Sequence, residues 1–286
     1  MSPPSDITPL HVRSGYSLLR GTALPGELVE RARRAGHRRL ALTDVNSLAA
    51  ATIFHRAAVE AGLEPILGAE LVEDGASVVA LVAGPVGYEN LCRLVTRILG
   101  RAEQTGATVL PDGQDRGARL RAGRPYHADL AELSAGLELV AEDLATAEAL
   151  LAAGVRADRV WLGVDPPVQG PSHVRWLRDC AARTGLGLLA TGKALLADAS
   201  EADAARLLAA IRLGTTYEAV PAAELPSPAA HLRGRAELAA SLALLPEAAA
   251  ANRRVAERCA AFRLLPRAPV FPGFPCPDGL APAAYL

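Results

Sequence analysis

The side chains able to do covalent chemistry do not form a complete catalytic motif in this sequence. No GxSxG elbow occurs, so an esterase-type serine nucleophile has little support. No GxxxxGKS or GxxxxGKT loop occurs either, and the GLGLL stretch at 185–189 lacks the third glycine of a dinucleotide-binding loop, so it predicts a turn into a strand. The thiols are far apart and form no CxxC pair, which predicts reduced cysteines in a cytoplasmic protein: Cys92, Cys180, Cys259 and Cys276.

One stretch could contact nucleic acid, the arginine-rich RARRAGHRR at 31–39. A solvated basic face on an outer helix is the ordinary alternative for such a charge run. Aromatic residues make up 4% of the chain and do not alternate with basic ones, so no base-stacking platform is predicted. Five histidines are expected to pack, cap helices or lie in surface and linker segments rather than bind metal: His37, His55, His127, His173 and His231.

Charge and composition limit the function classes further. The 286 residues include 30 basic and 31 acidic side chains, so the net charge of -1 gives no overall positive field for nucleic acid. The longest apolar stretches are too short to span a bilayer, and the MSPPSDITPL start does not have the pattern of a signal peptide. We therefore expect a globular protein in the cytoplasm, with no membrane partner.

The elements that must position any site alternate between strands and helices. The stretches ITPLHV, RLALTD, PILGAELV, SVVALVA, GLELVAED, DRVWLGV and GLLAT are predicted as strands, with helical patterns between most of them and a loop over 101–126. About seven strand-then-helix units predict an α/β fold with a mainly parallel sheet, either open or closed into a barrel. In either form, the loops at the carboxyl ends of the strands build the site.

The pattern changes near residue 221. A proline-punctuated stretch, two predicted helices and a proline-rich extended tail follow. We therefore predict a barrel domain over 1–220 and a helical linker over 221–286 that leads toward something else.

Several motifs, in order along nearly the whole chain, carry a resemblance to a known family. They are HVRSGYSLLRG (11–21), the stretch from LALTDVNSL to ILGAE (40–70), GYENLCRLVTR (87–97), the GLLATGKALL segment (187–219) and the PEAAAANRRVAERC tail with the proline-rich stretch after it. This set resembles the PHP domain at the N-terminus of bacterial C-family DNA polymerase III alpha subunits and their error-prone relatives.

The resemblance implies a distorted seven-stranded (β/α) TIM-like barrel. Active PHP domains hold a cluster of divalent metals, such as Zn or Mn, at the carboxyl ends of the strands. Histidine and carboxylate side chains suit these cations, and a metal-bound water then attacks a phosphate ester.

Aligned with the family pattern, most ligand positions have changed. His11 and Glu70 are kept, and Asp44 is kept beside a lost ligand. The other ligand positions of the pattern carry residues that do not bind metals: Arg13, Arg20, Val45, Lys193 and Leu195. The resemblance therefore implies a vestigial metal site without catalytic residues, and no cofactor is expected.

The substitutions also suggest how a carboxylate could stay buried without a metal. We expect Arg13 or Lys193 to pair with Glu70 or Asp44 and to replace the metal's charge. The alternative is that Arg13 and Arg20 simply point into water.

The sequence contains no PDxDxDF-type acidic motif, so this chain alone is not expected to synthesise DNA. It is interpreted as the N-terminal piece of a longer polymerase, or a truncated product, that acts in DNA replication or repair as a structural and interaction module. Its expected partners are the remainder of the polymerase or a proofreading or accessory subunit, with DNA contacted indirectly. Two alternatives remain. One is a metal-dependent phosphoesterase or exonuclease using His11, Asp44 and Glu70 with Zn or Mn. The other is a stand-alone phosphate-binding barrel using Arg13, Arg20 and Lys193.

Overall fold

The computed structural model describes residues 6–73, 76–104 and 126–265, except for the side chains of 102–104 and 126. Its centre is a six-stranded mixed sheet whose strands are hydrogen-bonded in chain order. The strands are β1 (Arg39–Val45), β2 (Glu64–Glu73), β3 (Ala76–Val82), β4 (Leu137–Ala141), β5 (Val160–Val164) and β6 (Gly187–Ala190). Six of the predicted strands thus appear, and the α/β class is confirmed.

The direction of one strand differs from the prediction of a mainly parallel sheet. β1 and β2 are parallel, and so are β4, β5 and β6. β3 runs antiparallel to both of its neighbours, β2 and β4. Only two residues separate β2 from β3, which is too short for the crossover that a parallel pair needs.

The segment predicted as the first strand, ITPLHV, is not a regular strand. It nevertheless makes backbone hydrogen bonds to both edges of the sheet. Pro9 accepts a hydrogen bond from β1 at 3.0 Å, and Leu10 donates one to Thr191, just after β6, at 2.7 Å. Regular pairing is reduced to one isolated bridge between Val12 and Ala194. Proline has no N–H to donate, which interrupts a ladder at Pro9. A closed seven-stranded barrel is therefore not confirmed by regular strand pairing.

Ten α-helices lie in the described part of the chain. They are α1 (Pro25–Arg34), α2 (Ala51–Glu60), α3 (Pro85–Gln104), α4 (Tyr126–Leu133), α5 (Leu144–Ala152), α6 (Pro166–Gln169), α7 (Pro171–Thr184), α8 (Ala202–Leu213), α9 (Arg235–Ser241) and α10 (Pro246–Ala260). Part of the predicted 101–126 loop is helix, because α3 continues to Gln104, and 105–125 lie outside the described residues. Among the described helices, none has the length and apolar character that a bilayer crossing requires.

The last helix packs into the core of the sheet. α10 contacts β6 and β2, and its small apolar residues pack against inward-facing residues of the strands. Its Asn252 is fully buried, accepts a hydrogen bond from the Thr8 N–H at 2.9 Å, and donates to the carbonyls of Thr8 at 2.8 Å and Ala190 at 2.7 Å. Residues 246–260 therefore pack with the 1–220 region, although they fall in the predicted linker. The boundary at residue 220 stays a prediction, and the proline-rich tail from residue 266 lies outside the described residues.

Candidate functional site

The carboxyl ends of the parallel strands carry a group of charged side chains. Glu70 is the residue of β2 that pairs in register with the last residue of β1. Glu142 and Asp165 directly follow β4 and β5, and Lys193 lies shortly after β6. The N-terminal segment, which lies between β1 and the end of β6, adds His11. Because strands that run in parallel end at the same edge of a sheet, these residues meet at one end of the fold.

Glu70 is held by three side chains. Arg13 donates two hydrogen bonds to its two carboxylate oxygens, each 2.7 Å long, and Ser77 donates to Oε1 at 2.8 Å. The Nε2 atom of His11 lies 2.9 Å from Oε2. Glu70 is 4% exposed. Burial by itself would raise the pKa of Glu70, but the charges of Arg13 and His11 outweigh it and hold that pKa well below its usual range.

This geometry confirms the expected pairing of Arg13 with Glu70. The Arg13 side chain is only 13% exposed, so the alternative in which it points into water is wrong. A planar guanidinium bound through two parallel hydrogen bonds is the strongest arrangement that a carboxylate can have with a protein cation.

Lys193 pairs with Glu142, a carboxylate that is not among the predicted site residues. Its Nζ atom lies 2.6 Å from Oε2 of Glu142, whose other oxygen lies 3.2 Å from Nδ1 of His11. Burial would raise the pKa of Glu142, but the charge of Lys193 and the contact with His11 lower it to about 2. A signal was available in the sequence, because Glu142 lies at the carboxyl end of the predicted strand GLELVAED, one residue before its last.

Asp165 is the second acid that was missed. It forms a buried salt bridge with Arg233 and accepts a hydrogen bond from the backbone N–H of Lys193 at 2.6 Å. Its pKa is raised by burial, which the charge of Arg233 opposes. Arg233 lies far along the chain, in the stretch that the sequence analysis read as linker, so no local motif connects it with Asp165.

Asp44 organises a turn and does not join this charge network. It accepts hydrogen bonds from the Ser14 N–H at 2.7 Å, the Ser14 hydroxyl at 2.8 Å and the Ser17 hydroxyl at 2.6 Å. Burial raises the pKa of Asp44, and these hydrogen bonds partly offset the effect. Its role in the structure is to hold the turn at 14–21, which carries Arg20.

The remaining substituted positions bring no metal donors to the network. Val45 and Leu195 are buried, at 8% and 7% exposure. Arg20 and Leu195 line a neighbouring cavity of about 310 Å³, which also borders Arg13 and Lys193. The structure thus brings His11 and Glu70 together and leaves Asp44 beside them in a separate set of hydrogen bonds.

The donor atoms present do not fit a divalent metal. Both oxygens of Glu70 are held by Arg13, and Glu142 is held by Lys193. Both nitrogens of His11 face these two carboxylates. Within the described ranges, no group of three or more histidine, cysteine or acidic side chains has an arrangement that could hold a metal ion. Protein cations fill the space around the carboxylates that a metal would need.

The arginine-rich stretch at 31–39 is largely paired with acids. Arg33 and Arg34 lie about one turn after Glu30 on the same helix. Both bind Glu30, at 2.8 Å and 2.7 Å. Arg31 pairs with Asp198, and Arg39 pairs with Glu64 at 2.6 Å. These pairs reduce the positive field of the stretch, which favours the solvated-face interpretation over nucleic-acid contact.

A match to a family model assigns the chain to a known class of domain. The PHP domain family model matches residues 9–151, which is half of the chain. The chain belongs to the PHP domain family.

Curated relatives narrow the comparison. The chain is 30% identical to the error-prone DNA polymerase of Dechloromonas aromatica (strain RCB) over 241 residues, which is 80% of this chain and 22% of that protein. It is 36% identical to the error-prone DNA polymerase of Pseudomonas syringae pv. syringae over 180 residues, covering 60% of the chain and 16% of that protein. The corresponding enzyme of Symbiobacterium thermophilum is 44% identical over 112 residues, covering 37% and 10%. The matched regions therefore span about a tenth to a fifth of these relatives.

Among solved structures, the chain is similar to an amidohydrolase from Chromobacterium violaceum, described with bound sulfate and no metal. The identity is 20%, the TM-score is 0.45, and the match covers 64% of this chain and 85% of that one.

Proposed function

We propose that this chain serves as the PHP domain of a C-family DNA polymerase of the error-prone kind, acting in replication or repair in the cytoplasm. Its role in that enzyme is structural and interactive, with the rest of the polymerase or a proofreading or accessory subunit as partner. The relatives that it matches carry the name error-prone DNA polymerase and are several times longer than the matched region.

One observation supports the proposal that this domain has lost its metal chemistry. The two carboxylates nearest to His11 are each bound by a protein cation, Arg13 on Glu70 and Lys193 on Glu142. Catalytic zinc needs about three protein ligands and an open position for water. The vestigial-site proposal therefore rests on charge replacement, in which fixed cations keep the buried acids ionised.

The barrel form of the fold belongs to the same proposal. The segment around Pro9–Val12 hydrogen-bonds to β1 on one side and to the chain after β6 on the other. We propose that this segment acts as a seventh, irregular strand that closes the sheet into a barrel, with α10 packed against the inward-facing residues of the sheet.

Metal content tests the vestigial site. After dialysis against a chelator and exposure to Zn²⁺ or Mn²⁺, the purified chain is expected to retain no stoichiometric metal and to cleave no DNA 3′ ends. The matched variant Arg13→His/Lys193→Asp/Leu195→His restores the residue types of the family pattern and is expected to take up metal. A wild-type chain that keeps one equivalent of metal and hydrolyses DNA ends would refute this part of the proposal.

Primer extension tests the structural role in the full-length polymerase that contains this domain. Glu70→Gln is expected to leave the extension rate within about twofold, because no chemistry passes through the site. Deletion of the domain is expected to destabilise the polymerase and abolish extension. A folded Glu70→Gln enzyme without activity would assign the site a catalytic role instead.

A further inference from the structure

A second feature of the strand-end region is a cavity with an excess of positive charge. The cavity has a volume of about 310 Å³, at the lower end of the range for small-molecule sites. Arg13, Arg20, Lys193 and Arg212 line it, and Glu224 is the only acidic residue among its described lining residues. The charge of the wall is therefore strongly positive before pairing is considered.

Pairing neutralises three of the four cations. Arg13 is bound to Glu70 and Lys193 to Glu142, both just behind the cavity wall. Arg212 donates to Glu224 at 3.0 Å.

Arg20 is the cation left over. No salt bridge or side-chain hydrogen bond to it occurs among the described residues, and its Nε atom is buried without a hydrogen-bond partner. Arg20 lines the cavity without a counter-ion from the described part of the chain, so its guanidinium group can bind an anion there.

A rigid turn sets the position of Arg20. Asp44 binds Ser14 and Ser17 of this turn, and Leu19 adopts a left-handed backbone with φ of 57°. Gly21 packs so closely that a Cβ atom there would lie 1.8 Å from the carbonyl oxygen of Ser14. A strained, over-determined backbone of this kind places the next side chain in one direction.

The electrostatics agree with a missing counter-charge. Burial and the charges of Arg13 and Arg212 lower the pKa of Arg20 to about 10, although Glu70 and Glu224, which are bound to other arginines, oppose this effect. The guanidinium is still protonated at neutral pH, so the cavity carries an uncompensated positive charge that an anion would relieve.

We propose that this cavity is a binding site for a small phosphate-class anion, with Arg20 as its main ligand and the paired Arg212 and Lys193 at its sides. Guanidinium groups bind phosphate oxygens through paired hydrogen bonds, an arrangement that chloride cannot provide. The site is distinct from the paired carboxylates around His11 and does not depend on the proposed polymerase role. It differs from the phosphate-binding alternative of the sequence analysis because Arg20, rather than the paired Arg13 or Lys193, is the main ligand, and because Arg212 also lines the cavity.

Calorimetry with inorganic phosphate, at constant ionic strength in chloride buffer, tests the site directly. We expect one phosphate per chain, and at least about tenfold weaker binding by Arg20→Gln, as the loss of a charge-assisted hydrogen-bond pair implies. Arg175→Gln is the matched control, since it removes the same charge from an exposed position of α7, and it should bind phosphate like the wild type.

Thermal unfolding separates ligand binding from a structural role of Arg20. Without phosphate, Arg20→Gln should be as stable as the wild type or more so, because it relieves repulsion with Arg13 and Arg212. With phosphate, the wild type and Arg175→Gln should gain melting temperature and Arg20→Gln should not.

Three results would overturn the proposal. They are the absence of phosphate binding by the wild type, phosphate binding unaffected by Arg20→Gln, or binding of an oligonucleotide without any binding of free phosphate. None of these outcomes bears on metal content or primer extension, so the failure of this site and the failure of the proposed function are distinguishable.

Discussion

Removal of Arg13 should expose the energetic cost of the buried Glu70 carboxylate. Arg13→Met keeps most of the side-chain volume and deletes both hydrogen bonds to Glu70, which is 4% exposed. At an effective dielectric constant of 20, unit charges about 4 Å apart interact by about 4 kcal/mol. Breaking one partner of a buried pair typically costs about 3–5 kcal/mol.

The lower end of this range applies here, because His11 and Ser77 continue to bind Glu70. We therefore expect a loss of about 3 kcal/mol in the free energy of unfolding at pH 7. For a chain of 286 residues, that corresponds to a melting temperature about 5 °C lower. Urea unfolding followed by circular dichroism, together with thermal melts, measures both quantities.

A double variant tests whether the loss of stability comes from the unpaired charge of Glu70, and a surface variant serves as the control. Arg13→Met/Glu70→Gln removes the whole ion pair, and the new amide can still bond to its neighbours, so about 2 kcal/mol should return. Arg33→Met, on the exposed pair with Glu30, should leave the melting temperature unchanged.

The pH dependence has a defined sign. In the wild type, the lowered pKa of Glu70 contributes stability above its unfolded value of 4.5, and this is lost as the pH falls below that value. In Arg13→Met, burial dominates and raises the pKa of Glu70, so the variant's penalty shrinks as the pH falls from 7 toward 4.5. If Arg13→Met loses less than about 1 kcal/mol, or if its penalty does not change with pH, the charge-replacement reasoning is refuted.

Three further predictions concern other parts of the fold. Lys193→Gln should move acid unfolding to higher pH. The pKa of Glu142 is about 2 in the folded chain and 4.5 in the unfolded chain, so the wild type loses this stabilisation only as the pH falls across that interval. Titration of the fluorescence signal with pH measures the shift. Asn252→Ala should cost about 2–4 kcal/mol in urea unfolding, since it leaves three buried backbone groups without partners, and a neutral result would contradict the anchoring role of α10. Gly21→Ala should destabilise the chain and weaken phosphate binding, whereas Gly26→Ala, whose Cβ would meet nothing within 4 Å, should do neither.

Local sequence patterns predict most of the strands and helices, and part of the charge network at the strand ends. The strands and helices up to α8 follow apolar periodicity, and the pairing of Arg13 with Glu70 follows from the buried acid needing a cation. The antiparallel direction of β3 had a signal in the short Asp74-Gly75 link, a typical hairpin dipeptide. The prediction of a mainly parallel sheet did not use it.

Contacts between distant parts of the chain could not be read in the same way. Arg233 binds Asp165 from 68 residues away, and Asn252 binds Thr8 from 244 residues away. No spacing rule connects such residues, because their distance in the sequence carries no periodic signal. For the same reason, no local pattern indicates that the small residues of α10 pack against the sheet.

The anchoring of α10 has a consequence for the folding of this domain during its synthesis on the ribosome. A nascent chain that has reached residue 220 contains all six strands, yet the N-terminal segment still lacks the Asn252 partner of Thr8. The N–H and carbonyl groups of Thr8 gain this partner only when the last helix has been synthesised. Folding with such non-local contacts is slow and late. We therefore expect the packing of the N-terminal segment to be completed only after α10, which ends at Ala260, has been synthesised.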